Sequence, residues 1–435
     1  MKIAYLGAGA AGRICGACFH DNGLATALRA RGEDLLLIPT YTPIRTDEEN
    51  VSHSRIFFGG VNVYLQQKSA LFRHTPWFLD RLLDSPPLLD WLSRRSAGME
   101  AKDLGDLAVS TLQGRDGKQR KEVEKLVSWL ERDFRPDIVH LSNILLVGLA
   151  EPLAERLGVP ILSSLMGEDI FLNGLVEPHA SQARELLRAK SRAIAQMVAL
   201  NDYYADYMSE YLQYPRGKIS VIRHGLNLDG YPPVRQRHWN INQAQPVRIG
   251  YFARIAVEKG LHQLVEAFAL LTGQPDLPPL ELHVAGYMSA ADQPYFQRIT
   301  ERVAELGLRE KFIHQGELDR AAKLRFLSEL DLFAEPTIYH ESKGISVLEA
   351  LASGVPAVLP RHGTFPEYIA ETGGGSLCEP ENPADLAAKL RELLLDPAGA
   401  SSRGLEAAAA IREKFTADQM ALRHQELYHN ILGGR

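Results

Sequence analysis

Tyr231-Pro-Pro-Val-Arg-Gln-Arg-His-Trp-Asn-Ile-Asn-Gln-Ala-Gln-Pro246 is the stretch where the pattern of the chain breaks. Prolines and amides accumulate, and neither the helical nor the strand period of apolar residues survives, as in an interdomain linker. Working back from it, short apolar runs recur at Ile219–Ile222, Met197–Leu200, Val159–Leu165, Pro136–Leu141, Leu35–Ile38 and Ile3–Leu6, with helical patterns between them. Working forward, the alternation resumes at Val247–Phe252, Leu280–Ala285, Phe312–His314, Leu332–Ala334 and Ala357–Leu359. Short buried strands separated by helices predict a parallel sheet covered on both faces. The fold class expected is therefore α/β, with two doubly wound parallel-sheet domains over residues 1–243 and 244–414. Ligands of such sheets sit at the carboxyl ends of the strands, so two facing sheets are expected to form one cleft. The rhythm fails between Asn62 and Asp133, where a hairpin at Ile56–Leu65 is expected to lead into amphipathic helices. This insertion, about residues 66–133, is the expected specificity element.

Composition agrees with that division and excludes several classes. A chain of 435 residues suits two to three domains at roughly 150 residues each. With 45% hydrophobic and 23% charged residues it can bury real cores. The net charge of −6 argues against a nucleic-acid binder. Residues 1–245 carry 29 basic against 28 acidic side chains, and the remainder 19 against 26, so the halves differ in charge and suit different partners. Three cysteines cannot build a disulfide framework, which points to a reducing, cytoplasmic setting. No apolar run approaches the roughly 18 residues of a spanning helix. The segment Phe72–Leu79, followed by Arg81, has the residues for lying on an anionic surface, so peripheral contact at the inner membrane face joins the expectation.

Gly7-Ala-Gly-Ala-Ala-Gly12 follows a strand and has the spacing of a dinucleotide loop, but the second strand ends Ile38-Pro-Thr-Tyr41 without the ribose-binding acid. A tight turn, or a glycine loop approaching another phosphate ligand, are the other readings. Cys15-Gly-Ala-Cys18 at a helix start reads as small packed residues, since the rest of the chain is foreign to a thioredoxin-like fold. The segment richest in chemistry is His340-Glu-Ser-Lys-Gly-Ile-Ser-Val-Leu-Glu-Ala-Leu-Ala-Ser-Gly-Val-Pro356. A helix starting near Gly344 would aim the N–H groups of Gly344 and Ile345 at an anion. Glu349 would accept from vicinal hydroxyls, and Glu341 would face whatever lies beyond the phosphate. In Ile249-Gly-Tyr-Phe-Ala-Arg-Ile-Ala-Val-Glu-Lys-Gly260, Arg254 and Lys259 share a strand-to-helix loop and suit a diphosphate; a solvated pair of cations is the plainer reading. The chain contains no Asp-x-Asp, so no metal ligand set of that kind is expected.

Taken in order, these pieces resemble the retaining glycosyltransferases of family 4. The resemblance runs through Gly250, Arg254, Lys259-Gly260, Val284-Ala-Gly286, Phe312–Gly316, Asp331–Pro336, Glu341 and Glu349, Ala352–Pro356 and Gly363–Glu367. A looser match runs through Gly16, Pro136–His140, Gly167 and Val221–Gly225. It implies the GT-B fold of two Rossmann-like domains, with residues 415–435 returning as a helix to the first. It implies a metal-independent transferase, without cofactor, moving a sugar from a UDP-, GDP- or ADP-sugar to a hydroxyl acceptor, saccharide or lipid-linked, with retention. By the resemblance Arg254, Lys259 and Glu341 are catalytic. Gly16, Gly250, Leu318, Gly344, Ile345 and Glu349 join them in binding the nucleotide sugar. Met166 stands where family members often carry His, so Glu168 and Asp169 are the candidates on the acceptor side. Replacing Arg254 or Lys259 by Ala is expected to reduce turnover far more than stability. The alternatives are a GT-B epimerase or phosphorylase, or a catalytically silent nucleotide-sugar-binding protein.

Overall fold

The computed structural model describes residues 1–9, 16–54, 56–58, 67 and 104–434. The expected hairpin beyond residue 58, most of the insertion before residue 104, the Phe72–Arg81 segment and Cys15 lie outside the described residues. The chain divides into two compact units, Met1–Gly225 with Ala417–Arg435, and Leu226–Thr416.

Among the described residues the first unit carries six parallel strands: β1 (Lys2–Gly7), β2 (Asp34–Pro39), β3 (Ile138–Leu141), β4 (Ile161–Leu165), β5 (Gln196–Ala199) and β6 (Ile219–Val221). Their order in the sheet is β2-β1-β3-β4-β5-β6. β3 and β4 are buried at every residue and β1 at all but its first, as a sheet covered on both faces requires. One face is covered in part by the Gly16–Ala30 helix and by the last helix, Ala417–Gly433, which pack together around Leu24, Leu28, Met420 and Tyr428. Beneath them lies a polar seam. His140 on β3 meets the Tyr428 hydroxyl at 2.6 Å through Nδ1 and the Ser164 hydroxyl at 2.9 Å through Nε2. Tyr5 donates to Asp21 at 2.9 Å, and His424 Nδ1 meets the Met420 carbonyl at 2.9 Å. Burial holds His140 well below the ordinary histidine range, with His424 adding to the effect, and lowers His424 to about 4.

The second unit repeats the plan with β7 (Val247–Phe252), β8 (Leu280–Ala285), β9 (Phe312–His314), β10 (Leu332–Ala334), β11 (Ala357–Pro360) and β12 (Gly375–Cys378). The order is β12-β11-β10-β7-β8-β9, again wholly parallel. The chain runs from β7 outward in one direction to β9, then returns to β10 on the other side of β7. That reversal is a topological switch point, where ligands of open α/β sheets sit. Among the described residues no helix is long and apolar enough to cross a membrane.

The expected boundary near residue 243 is corrected to Gly225/Leu226. The linker-like stretch is part of the second unit because two side chains nail it down. Arg237, 1% exposed, donates to the carbonyls of Leu330, Ser353 and Gly354 at 2.8, 3.1 and 2.6 Å. Trp239 is buried and donates its indole N–H to Leu394 O at 2.8 Å.

Candidate active site

The switch point of the second sheet is formed by the loops that follow β7 and β10. Gly260 lets them approach. It has φ of 71°, and a Cβ there would lie 1.7 Å from the Pro336 carbonyl, so only glycine fits. Ile338 N–H donates to Glu258 O at 3.0 Å, and the Tyr251 hydroxyl bridges the Arg254 and Lys259 carbonyls at 3.4 and 3.3 Å. The backbone thus fixes where the Lys259 side chain starts.

Lys259 Nζ donates to Glu335 Oε1 at 2.8 Å and to Glu341 Oε2 at 2.6 Å, and lies 5.2 Å from the centre of the Tyr339 ring. The Tyr339 hydroxyl donates to Glu341 Oε2, and the Lys343 N–H to Glu341 Oε1 at 3.0 Å. The Ser346 hydroxyl donates to Glu335 Oε2. Burial works against the Lys259 charge, yet Glu335 and Glu341 hold it well above its ordinary range. Burial also pushes Glu341 upward, but Lys259, Lys343 and the donated hydrogen bonds hold it far below the usual carboxylate range. Glu335 goes the other way: burial raises it, and Lys259 offsets only part of that.

Gly344 caps the Ile345–Ala352 helix with φ of 58°, where a Cβ would crowd the rings of Tyr368 and Phe365 at 3.0 and 3.1 Å. The Tyr368 hydroxyl donates to Lys343 O, locking the entry to the helix. The N–H groups that open a helix lack a helical partner and carry the positive end of its dipole; here the Val347 N–H already donates to Gly344 O at 3.1 Å, and the groups before it make the terminus favour an anion. Glu349, one turn along, is buried and ion-paired with Lys323 at 2.7 Å, from the Arg320–Glu329 helix.

The other expected residues separate into two groups. Arg254 stands in the same loop as Lys259 but is 38% exposed; it bonds to Glu258 and lies 3.8 Å from Asp292. Each of the two cations is matched by carboxylates of its own unit. Gly250 lies within β7, where a Cβ would meet Leu330 at 2.0 Å, so its absence of side chain serves packing. Leu318 packs half-buried on the second unit's core, one residue before the Asp319 cap of the Arg320–Glu329 helix. In the first unit Gly16 opens its helix after residues outside the description. Glu168 is buried and accepts from the N–H groups of Ile144 and Met166 at 3.2 and 2.8 Å and from Tyr204 at 3.1 Å. Asp169 accepts from the same tyrosine at 2.8 Å. Glu168 is a brace of the loop after β4, a role the sequence reading did not give it.

Residues 22–225 match the model of the glycosyl transferase 4-like domain, and residues 236–414 that of the glycosyl transferases group 1. The two matches are consecutive and take in most of the chain. The chain belongs to the family 4 glycosyltransferases. Among relatives of this glycosyltransferase, glycogen synthase of Mycobacterium tuberculosis is 29% identical over 295 residues, 66% of each chain. D-inositol 3-phosphate glycosyltransferase of Streptomyces avermitilis is 26% identical over 302 residues, 67% of this chain and 65% of the relative. The match spans about two thirds of the length of these relatives. Sucrose-phosphate synthase from Thermosynechococcus elongatus superimposes with a TM-score of 0.74 at 18% identity, over all of both chains. HepE of Anabaena, solved with UDP, gives 0.67 at 17%, over 99% of this chain and all of that one. These likenesses show the GT-B fold.

Three side chains at this glycosyltransferase's switch point escaped the sequence reading. Glu335 lies in the Asp331–Pro336 run, and an acid at the end of a buried apolar strand is itself a signal. Lys323 and Ser346 carry no such signal, because only the folded chain brings them to Glu349 and Glu335.

Proposed function

We propose that this glycosyltransferase moves a sugar from a nucleotide-diphosphate donor to a hydroxyl acceptor, without a metal and with retention at the anomeric carbon. The observation that carries the reading is Lys259 and Glu341 joined at the switch point beside the amino terminus of the Ile345–Ala352 helix. The helix terminus and Lys259 offer positive potential to the diphosphate, and Arg254 exchanges Glu258 for a phosphate oxygen. Glu341 holds donor-sugar hydroxyls, Glu349 the ribose, and the Leu318 backbone the base. The acceptor hydroxyl attacks on the face from which the diphosphate departs, and a leaving phosphate oxygen takes its proton. In the first unit Gly16 is the candidate for phosphate and Asp169 for the acceptor.

The relatives' names range over glycogen, malate, inositol phosphate and lipopolysaccharide products, so they do not select a donor. The test is a panel of UDP-, GDP- and ADP-sugars scored by thermal stabilisation, then by nucleotide release with saccharide and lipid-linked acceptors. Ligand at a hundred times its Kd stabilises by about 2.7 kcal/mol, so the cognate base should stand out. Absence of stabilisation and release with every donor would sink the reading.

A further inference from the structure

We propose that Glu335 is a positioning residue that takes up one proton as a nucleotide diphosphate binds beside Lys259, so that donor binding is proton-linked. The inference rests on the donor reading above and adds a property of this chain's own cluster.

Glu335 follows β10 at the switch point and is fully buried. One of its oxygens holds Lys259 of the β7 loop, and the other receives the Ser346 hydroxyl from the first turn of the Ile345–Ala352 helix. It therefore braces the cation and the helix terminus against each other, the two features that offer positive potential to phosphate. The groups facing it are Tyr251 and Lys259 from β7 and its loop, Glu341 from its own loop, and Ser346 from the helix, with Tyr339 against Lys259 and Glu341 rather than Glu335. Lys343 adds its charge next to Glu341, while Arg254 and Glu258 cancel one another nearby. Lys259 is thus one largely enclosed cation between two buried carboxylates, and the trio carries an excess negative charge that Lys343 offsets only from the Glu341 side.

A diphosphate approaching Lys259 brings more negative charge. Like charges within a few ångströms favour protonation of one of them, most strongly where solvent is excluded. Glu341 resists, because Lys259, Tyr339 and the Lys343 N–H all donate to it. Glu335 accepts from two donors and is already raised by burial. The proton therefore goes to Glu335. Its carbonyl oxygen keeps the Lys259 hydrogen bond, its new O–H donates to Ser346 Oγ, and the brace survives while the charge does not. The proton comes from solvent on binding and returns on release, so none is consumed in turnover.

Calorimetric titration of the full chain with UDP, GDP and ADP between about pH 6 and pH 9, with Glu335→Gln in parallel, tests this. The parallel series cancels the nucleotide's own ionisation near pH 6. The expected result is coincidence of the two proteins at the acid end. With rising pH, native binding then weakens relative to the variant by up to about tenfold per pH unit until it levels off. Curves that run parallel, or a variant weaker by a constant factor at every pH, would overturn the proposal, since a purely structural brace predicts that. The native protein gives an independent reading through binding heats in two buffers of different ionisation enthalpy: uptake approaching one proton supports the proposal, and none across the range refutes it. Failure of all three nucleotides to bind either protein would instead remove the donor reading on which it stands.

Discussion

The first unit buries Tyr5, His140, His424 and Tyr428 against one another; the second buries Glu335 and Glu341 around a partly exposed Lys259 and Tyr339. Both clusters join elements distant in sequence, and both combine tyrosines with ionisable groups. In the first, burial keeps the histidines neutral and hydrogen bonds fix the rings, so the cluster seals one helix onto a sheet. In the second, one cation is shared by two carboxylates and Lys343 relieves only Glu341, so the cluster stays sensitive to what arrives beside Glu335. Polar burial alone therefore does not mark a reaction centre; unbalanced charge at a switch point does.

The sharpest way to break the contrast is to remove the cation. Lys259→Met should reduce turnover by at least about a thousandfold and cost about 3–5 kcal/mol at pH 7, because two buried carboxylates lose their counter-charge. The sequence expectation is a loss of turnover far exceeding the loss of stability; the carboxylates around Lys259 add a large stability cost to that expectation. Those carboxyls would have raised folded pKa values, so urea denaturation should find the variant regaining stability as pH falls; equal loss at pH 5 and pH 8 would count against the buried triad. The neutral cluster should respond in the opposite sense. His424 has a folded pKa of about 4 against an ordinary 6.5, so its contribution is complete above about pH 6.5 and is lost as pH falls toward 4. Over that window the native protein should lose about 3 kcal/mol relative to His424→Leu, and superimposable pH–stability curves would dispose of the idea. Arg254→Ala should lower turnover about a hundredfold while changing stability by less than about 1 kcal/mol, since its pair is half-exposed. The smallest effect belongs to Glu168→Gln, about 1–2 kcal/mol of stability from weakened hydrogen bonds to a buried carboxylate. A large loss of turnover without loss of stability would show Glu168 serving the acceptor side as well.

The strands were readable because buried parallel strands are nearly continuous apolar runs, and eleven of the twelve among the described residues stand at or within three residues of their expected positions. Gly375-Ser-Leu-Cys378 escaped: it is short, starts with glycine and follows two more, so nothing in it reads as a strand until β11 pairs with it. The domain boundary was misjudged for a related reason. Pro, Asn and Gln around Arg237 and Trp239 resemble a free linker, and the carbonyls that anchor those two side chains come from residues far along the chain. At the site, Lys259, Glu341 and Gly344 were legible because loop and helix-start chemistry is local. The ion pairs were not: Lys259 reaches Glu335 across 76 residues, and no period in the sequence records that distance.

The Ala417–Gly433 helix belongs to the first unit although the whole second unit is spelled out before it. The second unit is therefore an insertion, entered and left at neighbouring points, where Leu226 N–H donates to Phe415 O at 2.8 Å. During synthesis the second sheet has all its strands while the first still lacks Met420, His424 and Tyr428. The half made first is consequently the half completed last, and its final closure waits for the ribosome to release the residues that cover His140.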